Sequence, residues 1–267
     1  MSGISKDAAS GLEFIVVGET VNPKHILVVL HGTGDNCEGI KPVGDLFAKT
    51  LSDTLVLIPN GPVPLSAIFP PEQLEATKQA NPGFDPEAAR NWAGPSKIVP
   101  TDEESMARMV DDVMTPPVTA LNTLIDGQLQ KFGLTHENLV VYGFSAGGML
   151  ALHSSIARDE PCAAVVSHSG HFLGADYAAS KPNTLMIFGD QEMANPQLKM
   201  LFSGSADYLR AMGLAVEEHI CKDLGHGLNR EAFDTAQKFI AESLGMELDT
   251  PAVTPKSKPA APKPPQL

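Results

Sequence analysis

The feature that narrows the fold most is a rhythm of seven short apolar runs separated by longer stretches with helical spacing. The runs lie at 12–18, 25–30, 54–59, 138–143, 163–169, 184–189 and 215–220, and some, such as "TLVLIP", are apolar at nearly every position. A strand hydrophobic on both faces must be covered on both faces, as in a mostly parallel sheet with helices packed on each side. The spacing predicts helices at about 42–51, 103–132, 146–158, 196–212 and 228–244. Met106, Met109, Val110 and Val113 share one side of the second. Pro116 and Pro117 have no N–H for the helical ladder and are expected to kink or split it. The first two strands are close in sequence and are expected to pair antiparallel at an edge. An α/β fold follows from this alternation.

Two segments stand outside the rhythm. Residues 60–101 hold eight prolines together with Phe69, Phe84 and the only tryptophan, Trp92. This reads as a long Pro-rich loop, either a lid or binding wall over a site or a surface insertion. Residues 250–267, "TPAVTPKSKPAAPKPPQL", have almost nothing to bury and are expected to form a disordered, extended Pro/Lys-rich tail. A single domain over 1–249 followed by that tail suits the 267-residue length.

Charge and cysteine content restrict the partners. A net charge of −13 argues against nucleic acid and against electrostatic attraction to anionic lipid. Cys37, Cys162 and Cys221 are scattered and odd in number, which suits reduced thiols rather than a disulfide framework. No basic segment followed by a long apolar stretch opens the chain, and no run approaches bilayer length, so a cytoplasmic location without an integral membrane segment is expected.

The candidate chemistry lies in "VVYGFSAGGML", 140–150. Here a strand breaks into a glycine-rich turn with Ser145 at its centre, and helical spacing resumes at Ala146. Glycines at 143 and 147 remove side chains that would clash in so sharp a turn, the context of a nucleophile elbow. A serine hydroxyl attacks only when a base takes its proton and an acid orients that base. His226, between Gly225 and Gly227 after the last strand, is the expected base, and the two glycines would let its loop project over the sheet end. His168 and His171 read as structural or pocket-wall residues, and no further ligand spacing suggests a metal. The acid should close the strand at 184–189, where Asp190 and Glu192 both qualify and spacing does not choose. The backbone N–H groups of Ala146 and Thr33, the latter in "LHGTGDN", are the expected oxyanion donors.

These pieces in order, "LHGTGDN", "IPNGP", Trp92, "GFSAGGM", "GDQEMANP" and "GHG", resemble the phospholipase/carboxylesterase family of α/β-hydrolases, which includes acyl-protein thioesterases and lysophospholipases. The resemblance spans most of 12–245. It implies an α/β-hydrolase fold and a serine hydrolase that cleaves carboxylic esters or thioesters through an acyl-enzyme, without a cofactor. Ser145 would be the nucleophile and His226 the base, with Thr33 and Ala146 as oxyanion donors. It favours Glu192 as the acid, at the position where the family carries aspartate, with Asp190 the rival. Trp92, Phe69 and Phe84 are expected to wall an acyl site for a small-molecule or lipid-like ester, and a homodimer is left open. The long 63–100 segment, "WAGPS" after the tryptophan and the histidines at 168 and 171 depart from the family pattern. Other readings are a catalytically inactive binding protein, a peptidase or lipase on the same fold, and a scaffold acting through the tail.

Overall fold

The computed structural model describes residues 3–175 and 178–248, and the predicted tail, 250–267, lies outside them. In chain order the elements are β1 (Ser5–Lys6), β2 (Glu13–Gly18), β3 (His25–Leu30), α1 (Cys37–Thr50), β4 (Thr54–Pro59), β5 (Val63–Pro64), α2 (Pro71–Ala80) and β6 (Arg90–Asn91). There follow α3 (Glu103–Phe132), β7 (Leu139–Phe144), α4 (Ala146–Ile156), β8 (Ala164–His168), β9 (Asn183–Gly189), α5 (Asp190–Met193), α6 (Pro196–Ala211), β10 (Val216–Cys221) and α7 (Arg230–Ser243).

Eight strands form one sheet in the order β1-β2-β4-β3-β7-β8-β9-β10. The six from β4 to β10 are parallel, and β1 and β2 run antiparallel at one edge. Successive residues of each strand serve opposite faces, so Val28, Leu30, Val141 and Met186 join a core roofed by α3, α4 and α6. Leu27, Val29, Val140 and Ile187 join a second core under α1 and α7. The central strands are therefore apolar throughout because both faces are buried.

The seven predicted strands are all present, but the first two do not pair. β4 enters between them, with Phe14 opposite Pro59 on one side and His25 opposite Thr54 on the other. The short link after β2 crosses the start of β4: the Glu19 N–H donates to Thr54 O at 3.0 Å and the Lys24 N–H to Asp53 O at 2.8 Å. Gly18, at φ 82°, makes that turn where a side chain would strike the Thr54 carbonyl.

The helix at 103–132 is continuous, so the two prolines do not split it. Its start is fixed by a reciprocal capping box between Asp102 and Ser105 and its end by Gly133 at φ 65°. Val110 is buried and Met109 and Val113 are partly so, whereas Met106 is exposed. α1 begins five residues before the predicted start because Asn36 caps it, accepting the Glu38 and Gly39 N–H groups at 3.0 Å each.

The 60–101 segment is not structureless. It carries the β5–β6 ribbon and α2, a helix with no buried residue. Its far end is bolted to the loop after β3: the Gly34 N–H donates to Arg90 O and the Arg90 N–H to Asp35 O, both at 2.9 Å.

Candidate active site

The parallel strands deliver their carboxyl ends to one edge of the sheet, where several loops meet. Ser145 sits between β7 and α4 at φ 54°, ψ −119°, a conformation unfavourable for any side chain and found where surrounding structure enforces it. The enforcement is local and specific. The Ser145 N–H donates to His168 O at 2.8 Å, and the Met149 N–H donates to Ser145 O at 3.1 Å. A Cβ at Gly143 would overlap the Gly147 carbonyl, and one at Gly147 would lie 2.5 Å from Leu30 O. Both elbow glycines are thus required by the close approach of neighbouring backbone.

Ser145 does not stand alone. Its Oγ lies 3.0 Å from His226 Nε2, and His226 Nδ1 lies 2.7 Å from Glu192 Oε1. Glu192 is almost fully buried at the end of β9, while His226 is half exposed. The second carboxylate oxygen, Oε2, accepts the Gly189 N–H at 2.9 Å and the Ser169 hydroxyl at 2.7 Å. Burial alone would raise the Glu192 pKa; hydrogen bonds from His226, Gly189 and Ser169 outweigh it and hold the carboxyl below its ordinary range.

Asp190, two residues away, faces elsewhere. Its Oδ2 accepts the Asp223 N–H at 2.9 Å and its Oδ1 the Leu224 N–H at 3.1 Å, both in the turn before His226. The left-handed residue of that turn is Asp223, at φ 55°. Neither Gly225 nor Gly227 has a positive φ, and the loop they flank carries the His226 ring to Ser145. The glycine that matters is Gly189, where a Cβ would overlap the Leu224 carbonyl.

The loop after β3 reaches Ser145 from the other side: a Cβ at Gly32 would be 3.2 Å from Ser145 Cβ. Thr33 follows, its hydroxyl donating to Asn91 Oδ1 at 2.9 Å. Ala146 opens α4, where the first N–H groups have no intrahelical acceptor and the helix end favours negative charge. The spacing of sequence motifs did not reveal what steadies the Gly32–Thr33 turn. His31 is fully buried, its Nε2 accepting the Gly61 N–H at 2.9 Å and its Nδ1 lying 2.8 Å from Gly32 O, which defines a neutral ring protonated on Nδ1. Burial also holds its pKa below the usual histidine value.

Trp92 stacks on His31 with ring centroids 4.6 Å apart and donates its indole N–H to His31 O at 2.8 Å. It is a buried prop for this loop that also borders a cavity of about 490 Å³ with Pro62, Val63, Val113, Pro116 and Pro117. Phe69 and Phe84 are half-buried within the insertion and do not line that cavity.

His168 is fully buried, its Nδ1 3.2 Å from the Tyr142 hydroxyl and its ring edge-on to Phe144, which in turn packs on His226. Burial drives its pKa down to about 4, and His171, half-buried, is also lowered by burial. Among the described residues, His219, Cys221 and Glu231 bring potential ligand atoms within 4.8 Å of one another. The His219–Glu231 pair is already joined at 2.9 Å and Glu231 accepts the Lys222 N–H at 3.3 Å, so the group acts as a clip between β10 and α7.

A family model described as Phospholipase/Carboxylesterase matches residues 98–244, more than half of the chain and the part that carries Ser145, Glu192 and His226. The chain belongs to the phospholipase/carboxylesterase family. This member is 26% identical over 225 residues to Esterase YpfH of Escherichia coli (strain K12), covering 84% of each chain. It is 24% identical to Acyl-protein thioesterase 1 homolog 1 of Dictyostelium discoideum, covering 82% of this chain and 90% of the other. Among solved structures, esterase PE8 superposes with a TM-score of 0.65 at 22% identity, covering 90% of this chain and 97% of that one. A carboxylesterase from Mesorhizobium loti gives 0.63 at 15% identity, with 90% and 98% covered. The fold is accordingly that of the α/β-hydrolase esterases. None of the described helices is long and apolar enough to cross a membrane.

Proposed function

We propose that this family member hydrolyses carboxylic esters or thioesters through an acyl-enzyme formed on Ser145. The observation that carries the reading is the hydrogen-bonded chain Ser145 Oγ, His226 Nε2, His226 Nδ1, Glu192 Oε1, with links of 3.0 and 2.7 Å. As the serine oxygen attacks the acyl carbonyl, its proton passes to His226 Nε2, and the buried Glu192 carboxylate stabilises the imidazolium that forms. The carbonyl oxygen becomes an oxyanion within reach of the N–H groups of Thr33 and Ala146. His226 then returns its proton to the departing alkoxide or thiolate, leaving an ester on Ser145. In the second half, His226 takes a proton from water, the hydroxide attacks the ester carbonyl, and the protonated imidazole releases Ser145 and a carboxylic acid.

The names of the relatives, an esterase and an acyl-protein thioesterase, support an ester or thioester substrate, and we take a small or lipid-like acyl group as the part held. The test compares wild type with Ser145→Ala on p-nitrophenyl esters and on the matching thioesters, alongside labelling by a fluorophosphonate. Loss of nearly all hydrolysis and of labelling, with the circular dichroism spectrum unchanged, is the expected result. Hydrolysis retained by Ser145→Ala would overturn the reading.

A further inference from the structure

We infer that Asp190 is a positioning residue that sets the reach of His226, so that the one-turn helix α5 serves the imidazole with two carboxylates in different roles. The inference rests on the function proposed above. Glu192 meets the ring directly; Asp190 meets the backbone that carries it. Its two oxygens accept from consecutive N–H groups, Asp223 at 2.9 Å and Leu224 at 3.1 Å. Two parallel bonds to adjacent amides fix both the place and the tilt of a turn, which a single bond would not.

Three further observations show that the turn needs such a clasp. Asp223 holds a left-handed conformation, φ 55°, that costs free energy for a residue other than glycine and persists only where it is held. The Gln191 N–H donates to Leu224 O at 3.0 Å, and Gly189 lies so near this carbonyl that any side chain there would collide. The His226 turn is therefore gripped on its N–H side by Asp190 and on its carbonyl side by Gln191. His226 itself is half exposed, so burial of its ring does not hold it in place. Since β9 runs directly into α5, the same strand end fixes the acid and the turn bearing the base, which keeps the 2.7 Å Glu192–His226 bond in register. A longer side chain at 190 would push the turn away, and an amide offers one acceptor where two are needed.

The test uses the full-length chain and two readouts, one of them independent of any substrate. In wild type the Nδ1–H of His226, bound to the buried Glu192 carboxylate, should give a far-downfield proton resonance that disappears in Glu192→Gln. Asp190→Asn is expected to broaden or abolish the same resonance, although residue 190 does not touch the ring. It is also expected to lower kcat by about tenfold or more with KM within about twofold, since small displacements of a base are expensive in the transition state. Should Asp190→Asn fail to accumulate as folded protein, Asp190→Ser, small and uncharged, is read in the same way. A resonance unchanged in position and width, or kcat within about twofold of wild type in a folded variant, would overturn the assignment. If instead Ser145→Ala remains active, the proposed reaction fails while the resonance test of Asp190 still stands.

Discussion

His226 and Glu192 are joined by a 2.7 Å hydrogen bond in which one partner is half exposed and the other nearly sealed from water. The carboxylate is fixed by three donors, so in the reaction proposed above the imidazole, not the acid, is the member that would accept and return protons. Replacing the charge without the shape tests it. Glu192→Gln should lower kcat by about 10³-fold or more while KM changes little. Glu192→Asp, one methylene shorter, can no longer reach His226, Gly189 and Ser169 together and should lose about tenfold or more. Steady-state kinetics on one ester substrate checks both. Equal activity of Glu192→Gln and wild type would remove Glu192 from the triad.

The strain at Ser145 leads to a stability experiment. A serine held at φ 54°, ψ −119° carries a backbone cost of about 1–3 kcal/mol that glycine would not. Ser145→Gly should therefore be inactive yet more resistant to urea by about 1 kcal/mol, after its greater unfolded-state entropy is allowed for. Gly143→Ala, whose methyl group would overlap the Gly147 carbonyl, should be strongly destabilised or fail to fold. Urea midpoints for the two variants decide the matter, and a Ser145→Gly variant less stable than wild type would contradict a strained elbow.

Much of this architecture was legible because burial on both faces leaves a plain mark in the sequence. Runs such as "HILVVL" and "TLVLIP" were readable as strands, though the first was expected at an edge and lies inside the sheet, and the 103–132 helix was readable from its spacing, though Pro116 and Pro117 do not split it. The order of strands was not legible: nothing local to β2 and β3 records that β4, arriving after α1, inserts between them. Ser145 and His226 were readable from their surroundings in the chain. Only the family resemblance favoured Glu192 over Asp190; spacing did not separate them, since α5 turns one toward the ring and the other toward the backbone of a loop more than thirty residues on. His31 was invisible for a similar reason, because its partners Gly61 and Trp92 are distant in sequence and its own neighbours carry no signal for them.

Trp92 separates two roles for the tryptophan. As a wall of an acyl site it would act through its surface, so Trp92→Phe would alter KM and chain-length preference. As a prop for the loop bearing Thr33 it acts through its N–H on His31 O, so Trp92→Phe should lower kcat and cost about 1 kcal/mol of stability, with preference across acyl lengths retained. The second outcome is expected, given how little of the ring is exposed. A panel of esters of increasing acyl length, run on the purified variant with a urea titration beside it, distinguishes them.

Two buried imidazoles tie stability to pH in a defined window. Burial lowers His153, stacked on Phe172, and His168, packed against Phe144, to about 4. In the unfolded chain both would take up a proton near pH 6.5. Above that pH neither state is protonated and the two rings exert no pull. As the pH falls from about 6.5 toward 4, the unfolded chain binds protons the folded one refuses, so stability drops by up to about 1.4 kcal/mol per pH unit for each ring. The Glu192 carboxyl, with its folded pKa lowered, contributes stability that is present above its ordinary value near 4.5 and lost only below it, as the pH falls through the folded pKa. The loss between pH 6.5 and 5 is thus assigned to the histidines. Urea midpoints measured across that interval should fall steadily in wild type, and the slope should be shallower in His153→Leu and in His168→Leu, the remainder coming from His25, His31 and His171, whose pKa values burial also lowers. A wild-type midpoint that stays flat from pH 6.5 to 5 would mean that neither imidazole is held neutral by the fold.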